Sequence, residues 1–278
     1  GVTDVGRLES GEPFIVMELL AGQDLEQYLE AYGPLKIPEA VDYILQVIEA
    51  VADAHAAGIV HRDLKPANMF MTRRRDGAVC MKVLDFGISK VTDAGPGTAV
   101  MQTQGMLGSP MYMSPEQLQS ATDVDARTDI WSLGVVLFQL LTGAFPFNAP
   151  TLPQICTKVT VSPPASLRAY RLDAPERLEA IVFHCLEKNP NARFSSVVEF
   201  ATALAPFGSS SAASSLAAIR NGAAPSLEIS APPQRPWRNT VVEPAAPVAT
   251  LAPLGNMQMQ VPMNSGRKRL PWVAGVVA

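Results

Sequence analysis

Residues 129–141 are apolar on nearly every side when the run is drawn as a helix. Its large apolar side chains are Ile130, Trp131, Leu133, Val135, Val136, Leu137, Phe138, Leu140 and Leu141. A helix of this kind is stable only when other elements cover all of its sides. Gly143 is a typical residue to end it. The run therefore predicts a large, mainly helical lobe with this helix at its centre.

Other segments supply partners for the buried helix and a smaller strand-containing part. Apolar residues recur at helical spacing over 38–55, and Asp24 is a suitable cap for a short helix that runs to about residue 31. Further helices are predicted at 152–159, 175–188 and 197–204. Strands are predicted at 2–8, 13–18, 59–60, 69–71 and 79–84. Together they indicate the α+β class.

The composition changes near Phe207. From residue 208 onwards Ser, Ala, Pro and Asn dominate, and such a stretch cannot bury enough apolar surface to offset its ordering entropy. Residues 1–207 carry 16 Lys and Arg against 24 Asp and Glu, a net charge of −8, whereas residues 208–278 carry 6 against 2, a net charge of +4. We therefore predict a folded domain over 1–207, a disordered linker over 208–266 and a separate terminal segment over 267–278.

Charge and cysteine content exclude several kinds of protein. An acidic folded domain argues against nucleic acid as a partner. Cys80, Cys156 and Cys185 are odd in number and far apart, with no spacing typical of a metal site or a disulfide framework. They are predicted to be small buried apolar side chains in a reducing compartment.

Three short motifs follow one another in the folded part. HRDLKPAN occupies 61–68, DFG follows a predicted strand at 85–87, and SPE precedes the buried helix at 114–116. Each motif alone could arise by chance, but in this order and context they resemble the eukaryotic-type (Hanks-type) bacterial Ser/Thr protein kinases. The resemblance covers about residues 1–205. It implies a protein-kinase-like fold, with the last strands and hinge of the β-rich N-lobe followed by a complete, mainly helical C-lobe.

The resemblance implies transfer of the γ-phosphoryl group of ATP to Ser or Thr hydroxyls of protein substrates. Asp63 would accept the proton of the substrate hydroxyl, and Lys65 would place a positive charge on the γ-phosphate. Lys at this position is typical of Ser/Thr rather than Tyr kinases. Asn68 and Asp85 would supply the oxygen ligands that Mg²⁺ prefers.

The resemblance also implies where the adenosine part of ATP binds. The segment 14–22 is similar to the strand and hinge that carry the adenine, with Met17 as gatekeeper. Glu18 and Leu20 would offer backbone groups to the adenine edge. Asp24 would reach the ribose hydroxyls, and Phe70 would form the floor of the pocket.

Regulatory and structural roles follow from the same resemblance. Residues 85–116 would be the activation loop, with Thr103 as its phosphorylation site and Arg62 as the partner of the phosphate. Glu116 is expected to pair with Arg193. Asp129 is expected to hold the backbone of the catalytic loop.

Parts of the family pattern are absent. The Gly-rich phosphate loop, the strand lysine that grips the α- and β-phosphates, and the helix with its glutamate partner would all lie before Gly1. The chain as given is therefore expected to be inactive, and activity is expected of its parent. Dimerisation of the parent would allow autophosphorylation in trans.

The end of the chain suggests a membrane. Arg267, Lys268 and Arg269 precede the apolar run 270–278, which contains Trp272. Basic residues beside an apolar run with an interfacial Trp are typical of the cytoplasmic border of a transmembrane helix. The nine residues would rise only about 14 Å as a helix, against a hydrocarbon core of about 30 Å, so this would be the start of a longer span. The kinase would then lie at the cytoplasmic face of the cell membrane, in a single-pass parent.

Rival interpretations have different signatures. A pseudokinase that binds ATP as a signalling scaffold would lack some of Asp63, Lys65, Asn68 and Asp85, all of which are present. Only the missing strand lysine favours it. A small-molecule phosphotransferase would not need the long segment that ends in 114–116. A purely structural module would not need two separately placed magnesium ligands.

Overall fold

Helices dominate the part of the chain that the computed structural model describes, which comprises residues 2–8, 13–84, 110–120 and 124–222. The strands are β1 (Val2–Arg7), β2 (Pro13–Met17), β3 (Gly22–Asp24), β4 (Met69–Arg73) and β5 (Val79–Val83). The helices are α1 (Leu25–Tyr32), α2 (Ile37–Ala56), α3 (Pro115–Gln119), α4 (Arg127–Thr142), α5 (Leu152–Val161), α6 (Leu167–Tyr170), α7 (Glu176–Cys185), α8 (Val197–Leu204) and α9 (Ala212–Gly222).

The strands form two small antiparallel sheets. β1 pairs with β2, and β4 lies between β3 and β5 in the second sheet. In that second sheet Phe70 is opposite both Asp24 on β3 and Lys82 on β5. Residues directly opposite one another place their side chains on the same face of a sheet, so these three side chains are neighbours.

The core of the helical lobe is built around α2 and α4. Helix α4 is buried along almost its whole length, with Trp131 and Phe138 fully inaccessible, as the apolar run predicts. It ends at Gly143, which adopts the left-handed conformation (φ 71°) that glycine tolerates best. Gly134 lets α7 approach closely, since a Cβ atom there would lie 2.5 Å from the Cβ of Cys185. The predicted buried helix is confirmed.

The prediction of disorder from residue 208 onwards is wrong for residues 212–222, which form α9 and pack along α2. Ala212 and Ile219 are buried, and Leu216 between them packs against the same core. These positions are spaced by four and three residues, which places them on one face of a helix. Composition averaged over a long Ser- and Ala-rich segment conceals such a short stripe. The folded part therefore extends past Phe207, and residues 223–278 lie outside the described residues.

Ile219→Ala tests whether α9 belongs to the folded unit. Ile219 is 1% exposed, so removing its side chain is expected to lower the free energy of unfolding by about 2–4 kcal/mol through lost burial and a residual cavity. Urea denaturation measures the change. The exposed Ala217→Ser on the same helix is the control and should change it by less than about 0.5 kcal/mol. Equal effects of the two substitutions would contradict the packing of α9.

Within the described residues, no helix has both the length and the apolar character needed to cross a membrane. The segment 267–278, on which the membrane prediction rests, lies outside those residues.

Candidate active site

A loop between α2 and β4 carries the principal polar side chains of the site. Helix α2 ends at Ala56, and the chain turns through Gly58 (φ 74°) into an extended segment. A single 3₁₀ turn at Pro66–Asn68 then leads into β4. Proline at the start of this turn suits it because its fixed φ is preorganised for a helical turn. The loop is thus held at both ends by regular structure.

The buried carboxylate of Asp129 anchors the middle of this loop from α4. Its two oxygens accept hydrogen bonds from the backbone N–H of His61 and of Arg62, each at 2.9 Å. The ring Nε2 of His55 lies 2.8 Å from the same carboxylate. Arg62 has a positive φ of 66°, which is costly for a residue with a side chain. The bonds to Asp129 stabilise that backbone conformation.

His61 links this loop to the end of β5. Its side chain is fully buried, its Nε2 lies 3.1 Å from the carbonyl oxygen of Leu84, and its Nδ1 accepts a hydrogen bond from the N–H of Asp63 at 3.3 Å. A ring that donates through Nε2 and accepts through Nδ1 is neutral. Burial also lowers the pKa of His61, which favours the same uncharged form.

Asp63, Lys65 and Asn68 converge at the start of the 3₁₀ turn. The Nζ of Lys65 lies 3.2 Å from Oδ2 of Asp63. The Nδ2 of Asn68 donates to the backbone oxygen of Asp63 at 2.9 Å and to its Oδ2 at 3.3 Å. The side chains of Asp63 and Lys65 remain 14% and 24% exposed, so both can meet a ligand. The arrangement places a carboxylate, an ammonium group and an amide within contact of one another.

The orientation of Asn68 bears on metal binding. Because its Nδ2 is directed to Asp63, its Oδ1 is left as the amide oxygen for a cation, and no hydrogen bond among the described residues uses it. The other predicted magnesium ligand, Asp85, lies outside the described residues. Leu84, the last described residue before it, donates its N–H to the carbonyl of Asn68 at 2.8 Å. In the described ranges no three His, Cys, Asp or Glu side chains form a metal cluster.

The residues predicted to bind adenosine lie on β2, the segment after it, and the second sheet. Asp24 ends β3 opposite Phe70, and its Oδ1 caps α1 by accepting the N–H of Gln27 at 2.8 Å. Glu18 makes an ion pair with Lys82 at 2.8 Å, and this hydrogen bond lowers the pKa of Glu18.

Two further members of the predicted adenosine site, Leu20 and Met17, precede β3 along the chain. Leu20 is partly buried, and Met17 is the last residue of β2. Of the residues predicted to bind adenosine, Asp24 and Phe70 are brought together by the pairing of β3 with β4.

Glu116 of α3 forms a bidentate ion pair with Arg193. The guanidinium Nη1 and Nη2 donate to the two carboxylate oxygens at 2.7 and 2.8 Å. Arg193 is 4% exposed and also donates to the carbonyl oxygen of Glu187 at 2.8 Å. Ser114 caps α3 through a capping box and bonds Thr128 of α4 at 2.7 Å. These contacts tie the 114–116 segment to the core helix.

The comparison with known families decides the classification. The profile of the protein kinase domain matches residues 8–204. The chain belongs to the protein kinase family. The expected resemblance to Hanks-type bacterial Ser/Thr kinases is thereby confirmed at the level of the family.

Bacterial relatives support this assignment. The chain is 42% identical over 203 residues to serine/threonine-protein kinase pkn3 of Myxococcus xanthus, covering 72% of this chain and 37% of the relative. It is 35% identical over 201 residues to serine/threonine-protein kinase PknB of Mycolicibacterium smegmatis, covering 71% of this chain and 31% of the relative. The chain thus spans about a third of the length of these curated kinases.

A solved structure confirms the fold class. The crystal structure of the Rad53 kinase domain and SCD2 in complex with AMPPNP resembles this chain with a TM-score of 0.54 and 24% identity, over 68% of this chain and 67% of that one. The predicted α+β protein-kinase fold, with few strands and a mainly helical lobe, is confirmed.

Three contacts of this kinase site have no signal in the motifs. His55 lies outside every motif, and it contacts Asp129 from the end of α2. Gln117 donates its Nε2 to the carbonyl of Arg62 at 2.9 Å, which joins α3 to the catalytic loop. Lys82 holds Glu18. All three depend on residues far apart in sequence, and spacing alone could not pair them.

Lys188 of the kinase lobe provides a prediction about pH. Its Nζ lies 3.8 Å from the ring centre of Phe147 and 4.9 Å from that of Trp131, and it donates to the carbonyl of Val159 at 2.7 Å. Burial, and then the charge of Arg193, lower the pKa of Lys188 to about 8. A Lys in the unfolded chain has a pKa of about 10.4. Between about pH 8 and that value, the unfolded state therefore binds more protons than the folded state. The contribution of Lys188 to stability should therefore rise with pH from about 8 to about 10.

The measurement is the difference in unfolding free energy between wild type and Lys188→Met from pH 7 to pH 9.5. This difference should move in favour of the wild type by roughly 1 kcal/mol, allowing for solvent screening. The subtraction is needed because burial raises the pKa of the Cys185 thiol, which acts in the opposite sense above its ordinary range. A pH-independent difference would show that Lys188 keeps an ordinary pKa.

Proposed function

We propose that the protein containing this chain transfers the γ-phosphoryl group of ATP to Ser and Thr hydroxyls of proteins. The observation that carries the proposal is the convergence of Asp63, Lys65 and Asn68 on a loop braced by Asp129. Phosphoryl transfer requires in-line positioning and neutralisation of spreading negative charge more than covalent help. A carboxylate, an ammonium group and an amide oxygen in one place supply these needs.

Each side chain has a distinct task in this proposal. The carboxylate of Asp63 accepts the hydrogen bond of the substrate hydroxyl, orients it and takes its proton. Lys65, 3.2 Å from that carboxylate, donates to the γ-phosphate and stabilises its charge. Asn68 and Asp85 would hold Mg²⁺, which when bound neutralises phosphate charge. Asp63 is kept in place because Asn68 bonds both its backbone and its side chain.

The adenosine part of ATP would lie against the second sheet and the segment after β2. The backbone of Glu18 and Leu20 would meet the adenine, beside Met17, and Phe70 would support the ring from below. The carboxylate of Asp24, opposite Phe70, would receive the ribose hydroxyls through the oxygen that does not cap α1.

The full-length protein, with Mg-ATP labelled at the γ-phosphate, tests the proposal. Label on Ser and Thr of protein substrates, identified by phosphoamino acid analysis, is the expected result. Binding of ATP without any transfer would overturn it and favour the pseudokinase, a signalling scaffold that binds ATP.

Activation-loop control is part of the proposal. Thr103 would be phosphorylated, and pairing of its phosphate with Arg62 would raise activity. Thr103 lies outside the described residues, so the support is the position of Arg62 directly before Asp63. Phosphopeptide mass spectrometry of active protein should find Thr103 modified, and Thr103→Ala should lower activity about tenfold or more. Active protein with Thr103 unmodified would contradict this.

We also propose that the parent lies at the cytoplasmic face of the cell membrane through a span that begins near residue 270. The support is the basic group 267–269 followed by the apolar run 270–278. Membrane fractionation of the full-length protein tests it, and recovery in the soluble fraction would reject it. Dimerisation for trans-autophosphorylation would appear as a rate of self-labelling that rises more than linearly with protein concentration.

A further inference from the structure

The N-terminal end of α9 is held on α2 by a single carboxylate. Asp42 of α2 accepts hydrogen bonds from the backbone N–H of Ser209 at 3.0 Å, from the Oγ of Ser209, and from the Oγ of Ser211 at 3.1 Å. Ser209 and Ser211 also bond one another through their hydroxyls at 3.0 Å. Both serines are exposed, so the contact is open to enzymes from solvent.

Beyond this end, α9 docks mainly through apolar burial and close approach, and the Arg220 guanidinium donates to Oγ1 of Thr202 on α8 at 3.3 Å. Ala212 and Ile219 are buried against the lobe. A Cβ atom on Gly208 would lie 2.7 Å from Oδ1 of Asp42, and one on Gly222 would lie 2.5 Å from Oδ1 of Asp53. The two carboxylates are eleven residues apart on α2, which is about 16 Å along the helix and matches the length of α9.

We propose that Ser209 and Ser211 are phosphorylation sites, and that phosphate on either serine releases α9 from α2. Each hydroxyl now donates a hydrogen bond to a carboxylate. A phosphoserine at pH 7 carries a charge of about −1.5 to −2, so most of its phosphate is fully deprotonated, and the serine oxygen itself no longer donates a hydrogen bond. Modification therefore replaces a charge-assisted hydrogen bond with repulsion between the phosphate and the carboxylate of Asp42.

The helix dipole opposes the release of α9, but its effect is weaker. A phosphate near the N-terminus of a helix is favoured by the helix dipole, by about two- to fivefold in equilibrium constant. Loss of a hydrogen bond to a charged group costs about ten- to a hundredfold, before the repulsion is counted. The balance favours undocking of α9.

Where this protein phosphorylates its own serines, the transfer step is that of the proposed function and rests on it. The serine Oγ forms a new bond to the γ-phosphorus of ATP, the bond from that phosphorus to the β–γ bridging oxygen breaks, and ADP leaves. The hydroxyl proton passes to the catalytic carboxylate. Because α9 is the first element beyond the helices of the kinase lobe, its release would change where the remaining chain leaves that lobe.

The first test does not depend on kinase activity. Phosphoserine is installed at 209, 210 or 211 of the full-length protein during translation, and amide hydrogen exchange is followed over α9 and α2. Phosphoserine at 209 or 211 should accelerate exchange in α9 by about tenfold or more relative to unmodified protein. Ser210 is the matched control because, among the described contacts, it makes none with Asp42, and its phosphorylation should leave α9 protected.

Asp42→Asn provides the reciprocal test. With the carboxylate removed, phosphoserine at 211 should no longer accelerate exchange, since an amide can donate to the phosphate. Unchanged protection of α9 in both the 209 and 211 forms would overturn the proposal that the contacts of Ser209 and Ser211 with Asp42 hold α9 on α2. Equal acceleration of exchange by phosphoserine at 209, 210 and 211 would overturn it as well. Mass spectrometry of full-length protein after incubation with Mg-ATP then tests the sites. Phosphate on Ser209 or Ser211 supports the proposal, and label confined to other residues rejects self-modification.

A protein that incorporates no phosphate at all would contradict the proposed function instead. The exchange measurements would still decide whether the contacts of Ser209 and Ser211 with Asp42 hold α9 on α2.

Discussion

Replacing Asp63 with Asn in the full-length protein is expected to lower phosphoryl transfer by about 10²–10⁴-fold. The amide has almost the same shape but cannot accept the proton of the substrate hydroxyl. It also loses the charge that pairs with Lys65 at 3.2 Å. Nucleotide affinity should change little, because Asp63 is not among the residues proposed to hold ATP. The measurement is the initial rate of labelling at saturating Mg-ATP, with nucleotide binding followed by calorimetry.

The control is Asp76→Asn, in the exposed turn between β4 and β5, where the carboxylate accepts the N–H of Ala78 at 2.9 Å. This variant removes a carboxylate without touching the catalytic loop and should transfer phosphate at the wild-type rate. A loss of less than tenfold in Asp63→Asn would show that Asp63 is not the base. Comparable loss in both variants would indicate general destabilisation rather than catalysis.

Arg193→Met is expected to lower the free energy of unfolding by about 3–5 kcal/mol. The substitution leaves the carboxylate of Glu116 without its bidentate partner in a largely buried position, 17% exposed. It also removes the donors to the carbonyl oxygens of Glu187 and Arg127. Chemical denaturation with far-UV detection measures the change, and a lower midpoint with an unchanged slope is expected.

Two controls separate this buried pair from an ordinary ion pair. Asp173→Asn breaks the pair between Arg171 and Asp173, where the carboxylate is 69% exposed, and should cost less than about 1 kcal/mol. The double variant Glu116→Gln with Arg193→Met should be less destabilised than the sum of its parts, because neither buried charge is left alone. Strict additivity would show that the two residues act independently.

Much of the catalytic loop could be predicted because its chemistry is local. Asp63, Lys65 and Asn68 lie within six residues, and a short loop that ends in a proline turn holds them close in almost any fold. The buried helix could be predicted equally well, since a helix that is apolar on all sides, as α4 is, is stable only when other elements cover it. Predictions of this kind succeed because neighbouring residues carry the whole signal.

The end of the folded part was misjudged for the opposite reason. Residues 208–222 have a composition typical of a linker, and isolated helices of eleven residues are marginal in water. What stabilises α9 is the surface of α2, where Asp42 meets the serines and the small side chains permit close contact. Nothing within α9 itself encodes that surface.

The helical lobe, the family motifs and the candidate catalytic residues could all be predicted from the sequence, since periodicity and short spacing depend only on neighbouring residues. Tertiary structure alone decided that His55 joins Asp129, that Gln117 holds Arg62, and that α9 docks on Asp42. These contacts join residues between 55 and 167 positions apart. Their energy depends on distance and burial after the chain has folded, which no local pattern specifies.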